Sequence, residues 1–163
     1  GSVLLKPAHT TSADEWNSTI STNLTSAFAT VRAGYKTLRA SGGVIILMTT
    51  AAARIGLPNH EAIAAAKAGV IGLMQSAAAS YASRGIRLNA VAPGLVKTGL
   101  TKRICSNEKS AELSRSLHAV GRLGEPKDVA SLLFWLLQPE NNWVTGQVFG
   151  VDGGLVTLHV TGR

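Results

Sequence analysis

The sequence predicts an α/β chain arranged as half of a doubly wound parallel sheet, and three observations carry that expectation. Val44 to Met48 is a continuous apolar run without alternation, the pattern of a parallel strand covered on both faces. A second strand-like run, Ile86 to Ala92, follows after a stretch long enough for a crossover helix. A third, Gly146 to Val151, follows a further helical pattern. With 163 residues, 45% of them hydrophobic, and a mean hydropathy of +0.19, the chain can bury one ordinary core, so residues 1–163 are expected to form a single domain.

Taken in order, Ser12-Ala13-Asp14-Glu15 is a capping box, and a helix is expected to follow. Trp16, Ile20, Leu24, Phe28, Val31, Tyr35 and Leu38 recur at steps of three and four and so share one face, until Ser41-Gly42-Gly43 stops the run. Asn23 interrupts this helix with an amide that competes for backbone hydrogen bonds, which predicts an irregular turn. Thr49 and Thr50 end the first strand. Asn59 is positioned to cap the next helix, which carries Lys67 among small residues (Ala64, Ala65, Ala66, Ala68, Gly69) and runs to Gly85. Pro93-Gly94 turns the chain away from the second strand. The polar stretch Leu95 to Val120 reads as a surface excursion with short helical patterns, of the kind that closes over a ligand. Pro126 then opens a helix with Val129, Leu132, Leu133, Leu136 and Leu137 as its stripe. Asp152-Gly153-Gly154 closes the third strand and reads as structural.

Composition narrows the function classes. Cys105 is the only cysteine, so neither an internal disulfide nor a thiolate metal cluster is expected, and the thiol reads as inert. No metal site is expected. The net charge of +7 and the isoelectric point near 10.1 come from scattered basic residues without an aromatic stacking ladder, which argues against nucleic acid. A small anionic ligand fits the charge at least as well. No apolar run looks long enough to span a bilayer and no secretory leader is visible at Gly1 to Pro7, so a cytoplasmic protein with no membrane partner is expected.

Several segments together resemble the short-chain dehydrogenase/reductase family. They are Asn23-Leu24, the first strand ending in hydroxyl residues, Ala66-Lys67-Ala68-Gly69, and Gly85-Ile86-Arg87-Leu88-Asn89-Ala90-Val91-Ala92-Pro93-Gly94 with Thr98. Gly124-Glu125-Pro126 with Asp128-Val129-Ala130, and Val144-Thr145-Gly146-Gln147 leading to Val151-Asp152-Gly153-Gly154, complete the set. The chain is similar to the later part of the ketoacyl-reductase-like branch. The resemblance implies the C-terminal part of a Rossmann-like sheet, three strands with flanking helices and without the family's N-terminal strands. It also implies NAD or NADP as cofactor, hydride transfer with a small carbonyl or alcohol substrate, and a homo-oligomer, dimer or tetramer.

Two departures shape the expectation. The chain has no counterpart of the family's opening strand, glycine-rich turn and helix, which receive the pyrophosphate; it is expected to be a fragment of a longer protein or to be completed by another chain. The strand Val44 to Met48 would then expose an apolar edge prone to association. The family also places a tyrosine one helical turn before the lysine, whose charge lowers the phenol pKa. Here that position is Ile63, which has no exchangeable proton.

Candidate site residues follow from the same resemblance. Lys67 would bind the cofactor ribose, against the alternative of a solvated helix lysine. Asn23 would anchor a water chain to it, against a simple helix defect. Thr50, thirteen residues before Ile63, would take the place of the serine that holds the substrate oxygen. His60, three residues before Ile63 and on the same helical face, bears an imidazole suited to supply the proton, although first-turn histidines are usually idle. Pro93, Gly94, Val96 and Thr98 would form the nicotinamide-side loop. A second expectation is a catalytically impaired member, serving as a cofactor-binding or assembly subunit through the long helices around Phe28 and Leu73.

Overall fold

The computed structural model describes residues 1–159. Three parallel strands, β1 (Gly43–Met48), β2 (Ile86–Pro93) and β3 (Val148–Val151), stand in the order β1-β2-β3. Gly43 pairs with Ile86 and Met48 with Val91, while Ala90 pairs with Val148 and Pro93 with Val151. All three strands therefore end at one edge of the sheet, where open α/β sheets bind ligands. The fold class is α/β with a Rossmann-like parallel sheet, as the sequence pattern indicated.

The first long helix is built in three pieces. α1 (Ala13–Ile20) starts on the expected capping box, with Ser12 and Glu15 bonding each other's backbone amides. A π-helical turn spans Ser21–Thr25 and α2 (Ser26–Leu38) continues to Arg39. The irregularity predicted at Asn23 is this π turn, whose widened backbone leaves the Asn23 side chain to bond the Thr19 carbonyl at 3.0 Å.

α3 (Glu61–Tyr81) crosses from β1 to β2. His60, not Asn59, is its N-cap residue, and it caps through no side-chain bond. Asn59 instead holds a left-handed backbone, φ 63°, and its carbonyl accepts from the Lys6 amide at 2.8 Å. An asparagine tolerates that conformation because its short polar side chain compensates locally. The helix continued to Arg84 is long and apolar enough to cross a membrane by length and composition, which corrects the expectation that no such run exists. Here it packs as a core helix: Ala66, Val70 and Met74 are fully buried, the last two in one cluster with Ile86, Leu88 and Ala90 of β2.

The sheet has a core on each face, and side chains divide between them with the period of two that a strand imposes. Ile45, Leu47, Leu88 and Ala90 pack with Val31, Val70 and Met74. Ile46, Val91, Phe149 and Val151 pack with Val129 and Leu136 of α6 (Pro126–Leu137). Each fully buried side chain of the size of Met74, Ile86, Leu88 or Leu136 contributes ~1.5–3 kcal/mol relative to exposure. Gly42 and Gly85 meet where β1 and β2 begin: a Cβ on Gly42 would lie 2.8 Å from the Gly85 carbonyl oxygen, and both have positive φ. β1 borders the described sheet, and Met48 at its end is 39% exposed.

Between β2 and α6 the polar excursion contains α4 (Lys102–Cys105) and α5 (Glu108–Leu117). α6 begins with Pro126 in its first turn and a second capping box, Glu125 with Asp128. No disulfide or metal-ligating cluster occurs among the described residues.

Candidate active site

At the carboxyl ends of β1 and β2 a cavity of about 430 Å³ opens between the sheet edge, the start of α3 and the inner side of α5. Thr50, His60, Ile63, Pro93 and Gly94 line it, so five positions singled out in the sequence share one wall. The facing wall is apolar, with Leu113 and Leu117 of α5 and Ile104 of α4. Thr101, Ser110 and Ser114 interrupt that wall, so a largely apolar surface carries a few polar groups able to orient a ligand.

Thr50 begins the turn that leaves β1; its hydroxyl accepts weakly from the Ala52 amide at 3.4 Å and retains its proton for another acceptor. Thr49, its neighbour, points the other way and donates to the Lys67 carbonyl at 2.9 Å, which fastens α3 to the end of β1. Ile63 is buried, 5% exposed, and forms part of the cavity wall. His60 rests its Nδ1 on the Pro58 carbonyl at 2.8 Å. A carbonyl can only accept, so Nδ1 carries the hydrogen and Nε2 is the nitrogen left for proton exchange.

Lys67 stands beside this cavity, outside its lining. Its Nζ donates to the Met48 carbonyl, the last of β1, at 2.8 Å. The ammonium is thus held at the sheet edge, and burial pushes its pKa below the ordinary lysine value of 10.5. Asn23, 2% exposed, lies close by: a Cβ built on Gly1 would meet Asn23 Oδ1 at 3.0 Å and Lys67 Nζ at 4.0 Å. The Asn23 amide is engaged with the N-terminal segment, donating to Ser2 Oγ at 3.0 Å and accepting from the Ser2 amide at 3.2 Å.

The loop after β2 separates its predicted residues. Pro93 and Gly94 face the cavity, whereas Val96 buries its side chain and pairs in a short parallel bridge with Gly124. Thr98 is exposed, with its amide and hydroxyl both against Thr101 Oγ1, at 3.0 and 3.1 Å. A second pocket of about 270 Å³ lies on the far side of Gly94, lined also by Val96, His118, Arg122, Asp152 and Gly153.

Reading the sequence did not single out His118. It is 4% exposed, and its Nε2 accepts from the Leu95 amide at 3.1 Å. The only signal was a lone histidine at the end of a polar stretch, where an exposed side chain is the ordinary expectation. The Met48 carbonyl was equally hidden, because a backbone acceptor leaves no mark in a sequence.

The family described as Enoyl-(Acyl carrier protein) reductase matches residues 1–156. The chain is similar to the 3-oxoacyl-[acyl-carrier-protein] reductase FabG of Vibrio harveyi, 38% identical over 143 residues that make up 87% of this chain and 58% of that protein. Among solved structures, 4-hydroxyisoleucine dehydrogenase complexed with NADH superposes with a TM-score of 0.92 at 27% identity, covering 98% of this chain and 66% of that one. ElxO with NADP bound superposes with a TM-score of 0.89 at 32% identity, covering 97% and 64%. The chain thus spans a little over half the length of the curated relative and under two thirds of the solved ones.

Proposed function

Since the chain belongs to the short-chain dehydrogenase/reductase family, in the group described as Enoyl-(Acyl carrier protein) reductase, we propose that it is the C-terminal part of an NAD- or NADP-dependent oxidoreductase. The reaction moves a hydride between the nicotinamide and a carbonyl or alcohol. The observation that carries this reading is the Lys67 ammonium held on the Met48 carbonyl, beside a cavity lined by Thr50, His60 and Ile63. NADH and NADP are what the solved relatives hold, and the donors here suit such a ligand.

The cofactor, when bound, supplies or accepts the hydride. The chain's own residues bind and orient. Lys67 offers its remaining protons to ribose hydroxyls while Met48 fixes its position. The Thr50 hydroxyl donates to the substrate oxygen and steadies the charge that grows there. Pro93 and Gly94 turn the chain so that backbone groups of Val96 and the Thr98 hydroxyl orient the nicotinamide carboxamide. Ile63 occupies the place of the family's tyrosine and moves no proton, so the proton passes through Nε2 of His60 or through water. Asn23, tied to Ser2 and Thr19, supports the N-terminal segment next to Lys67.

A second reading is favoured by Ile63 itself and by the outer face of the long helices. There a groove of about 440 Å³ is lined by Phe28, Tyr35, Leu73 and Tyr81, with the two tyrosine rings stacked at 4.6 Å and Phe28 51% exposed. In that reading the protein binds cofactor and assembles as a dimer or tetramer without turning over substrate. A homo-oligomer is proposed in either case, in the cytoplasm.

The test is dihydronicotinamide oxidation by the whole protein that carries this chain, with a panel of ketones and, in reverse, alcohols. Turnover that disappears in His60→Ala supports the histidine route. Activity that appears only in Ile63→Tyr supports the non-catalytic reading. Binding of neither NADH nor NADPH by either protein defeats both.

A further inference from the structure

The run from Gly94 to Lys97 is held along its length, mostly by backbone. The Gly94 amide donates to the Val151 carbonyl at 3.1 Å, the Leu95 carbonyl accepts from the Gly124 amide at 2.9 Å, and the Lys97 amide donates to the Gly124 carbonyl at 2.9 Å. Two side chains also hold it: the Thr101 hydroxyl donates to the Val96 carbonyl, and the Leu95 amide donates to Nε2 of His118, which comes from the far end of α5. Nδ1 of the same ring lies against the Ser114 carbonyl, which fixes the tautomer: Nδ1 carries the hydrogen and Nε2 accepts. Both ring nitrogens are satisfied only in this neutral form. The fit is close, since a Cβ on Gly94 would fall 2.4 Å from Nε2.

Among the described residues, the ion pairs of α5 lie within the helix itself: Arg115 pairs with Glu108 and Glu112. Leu113, Ser114 and Leu117 face the cavity that Thr50 and Ile63 line from the other side. One imidazole therefore bonds the floor of the site, at Leu95, and ends the helix that walls it.

We infer that His118 is a positioning residue that latches α5 to the loop after β2 and fixes the Gly94 to Thr98 backbone for the cofactor. This rests on the reading of that loop as the nicotinamide side. With the acceptor removed, the partly buried Leu95 amide loses its protein partner, and both the loop track and the wall of the cavity loosen together. Glutamine places an acceptor near the position of Nε2 and so keeps the latch; phenylalanine fills the volume and provides none.

The experiment uses the whole protein with His118→Phe and His118→Gln, reading exchange of the Leu95 amide by NMR and affinity for NADH and NADPH by fluorescence titration. Expected for His118→Phe is at least about tenfold faster Leu95 exchange and a rise of roughly fivefold to fiftyfold in the dinucleotide Kd, the range for a hydrogen bond lost at a partly buried amide. His118→Gln should restore both to near the parent values. Should the phenylalanine variant not fold, His118→Asn, whose amide reaches only as far as Nδ1, replaces it. Unchanged Leu95 exchange, or a dinucleotide Kd that stays at the parent value while exchange rises, overturns the inference. If the parent binds neither dinucleotide, the oxidoreductase reading fails and the cofactor role with it, and Leu95 exchange alone decides whether the latch exists.

Discussion

Replacing Lys67 by methionine separates what the ammonium does for the fold from what it does for a ligand. In the folded chain it makes one charge-assisted hydrogen bond, 2.8 Å to the Met48 carbonyl, a class of interaction that contributes ~1.5–3 kcal/mol. Burial opposes this, since it already pushes the lysine pKa down. Met48 sits at the border of the sheet and is partly exposed, so water reaches the carbonyl once the ammonium is gone. Methionine has nearly the same length and no charge. The two contributions nearly offset, and Lys67→Met should change unfolding free energy at neutral pH by less than ~1 kcal/mol in denaturant titration. Dinucleotide affinity, in contrast, should fall ~10–100-fold, the equivalent of ~1.4–2.8 kcal/mol. The pH dependence has a fixed sign. The folded protein gives up the Lys67 proton at lower pH than the unfolded chain, so in the alkaline range below 10.5 the unfolded state binds more protons. The parent should therefore gain stability on the variant as pH rises through that range. A loss of more than ~3 kcal/mol with dinucleotide affinity intact would make Lys67 a structural strut and refute the argument.

Three further outcomes follow from other parts of the structure. Ile63→Tyr, if Thr50 and Lys67 are placed as proposed, should raise carbonyl reduction by roughly 10²–10⁴-fold, the usual contribution of a positioned proton donor, and steady-state kinetics would read it. Gly94→Ala puts a Cβ 2.4 Å from His118 Nε2 and 3.1 Å from the Asp152 Cα, and should cost ~1–3 kcal/mol in a thermal or denaturant melt, because the ring and the backbone cannot both withdraw. Asp128→Asn should lower the melting temperature by removing the partner of Arg122 and weakening the acceptor for the Glu125 amide. The Arg122 guanidinium beside it holds the Asp128 carboxyl down at about 2, so the stabilisation is complete above the ordinary value of 3.8 and is lost as pH falls through about 2; melts of parent and variant should converge there.

Periodicity and composition determined the elements of this chain. The unbroken apolar run of β1, the capping box at Ser12 and Pro126 at the start of α6 are local signals, and local physics is what a sequence states directly. The π turn at Asn23 was legible for the same reason, as an amide placed where it competes with its own helix. The cap of α3 was misread because Asn59 is drawn away by the N-terminal segment, its carbonyl meeting Lys6 across 53 residues of chain. α3 itself has the composition of a membrane span, and only its packing against β2 makes it a core helix.

The site divides in the same way. The resemblance to the family is what singled out Thr50, Ile63 and Lys67 together, and the fold brings Thr50 and Ile63 to one cavity at the end of β1 with Lys67 beside it. What the ammonium bonds, how Asn23 is tied, and which side chain serves the Leu95 amide were decided by tertiary structure alone. Each depends on a backbone group from a distant segment, and backbone donors and acceptors are the same in every sequence; only the fold says which of them meet.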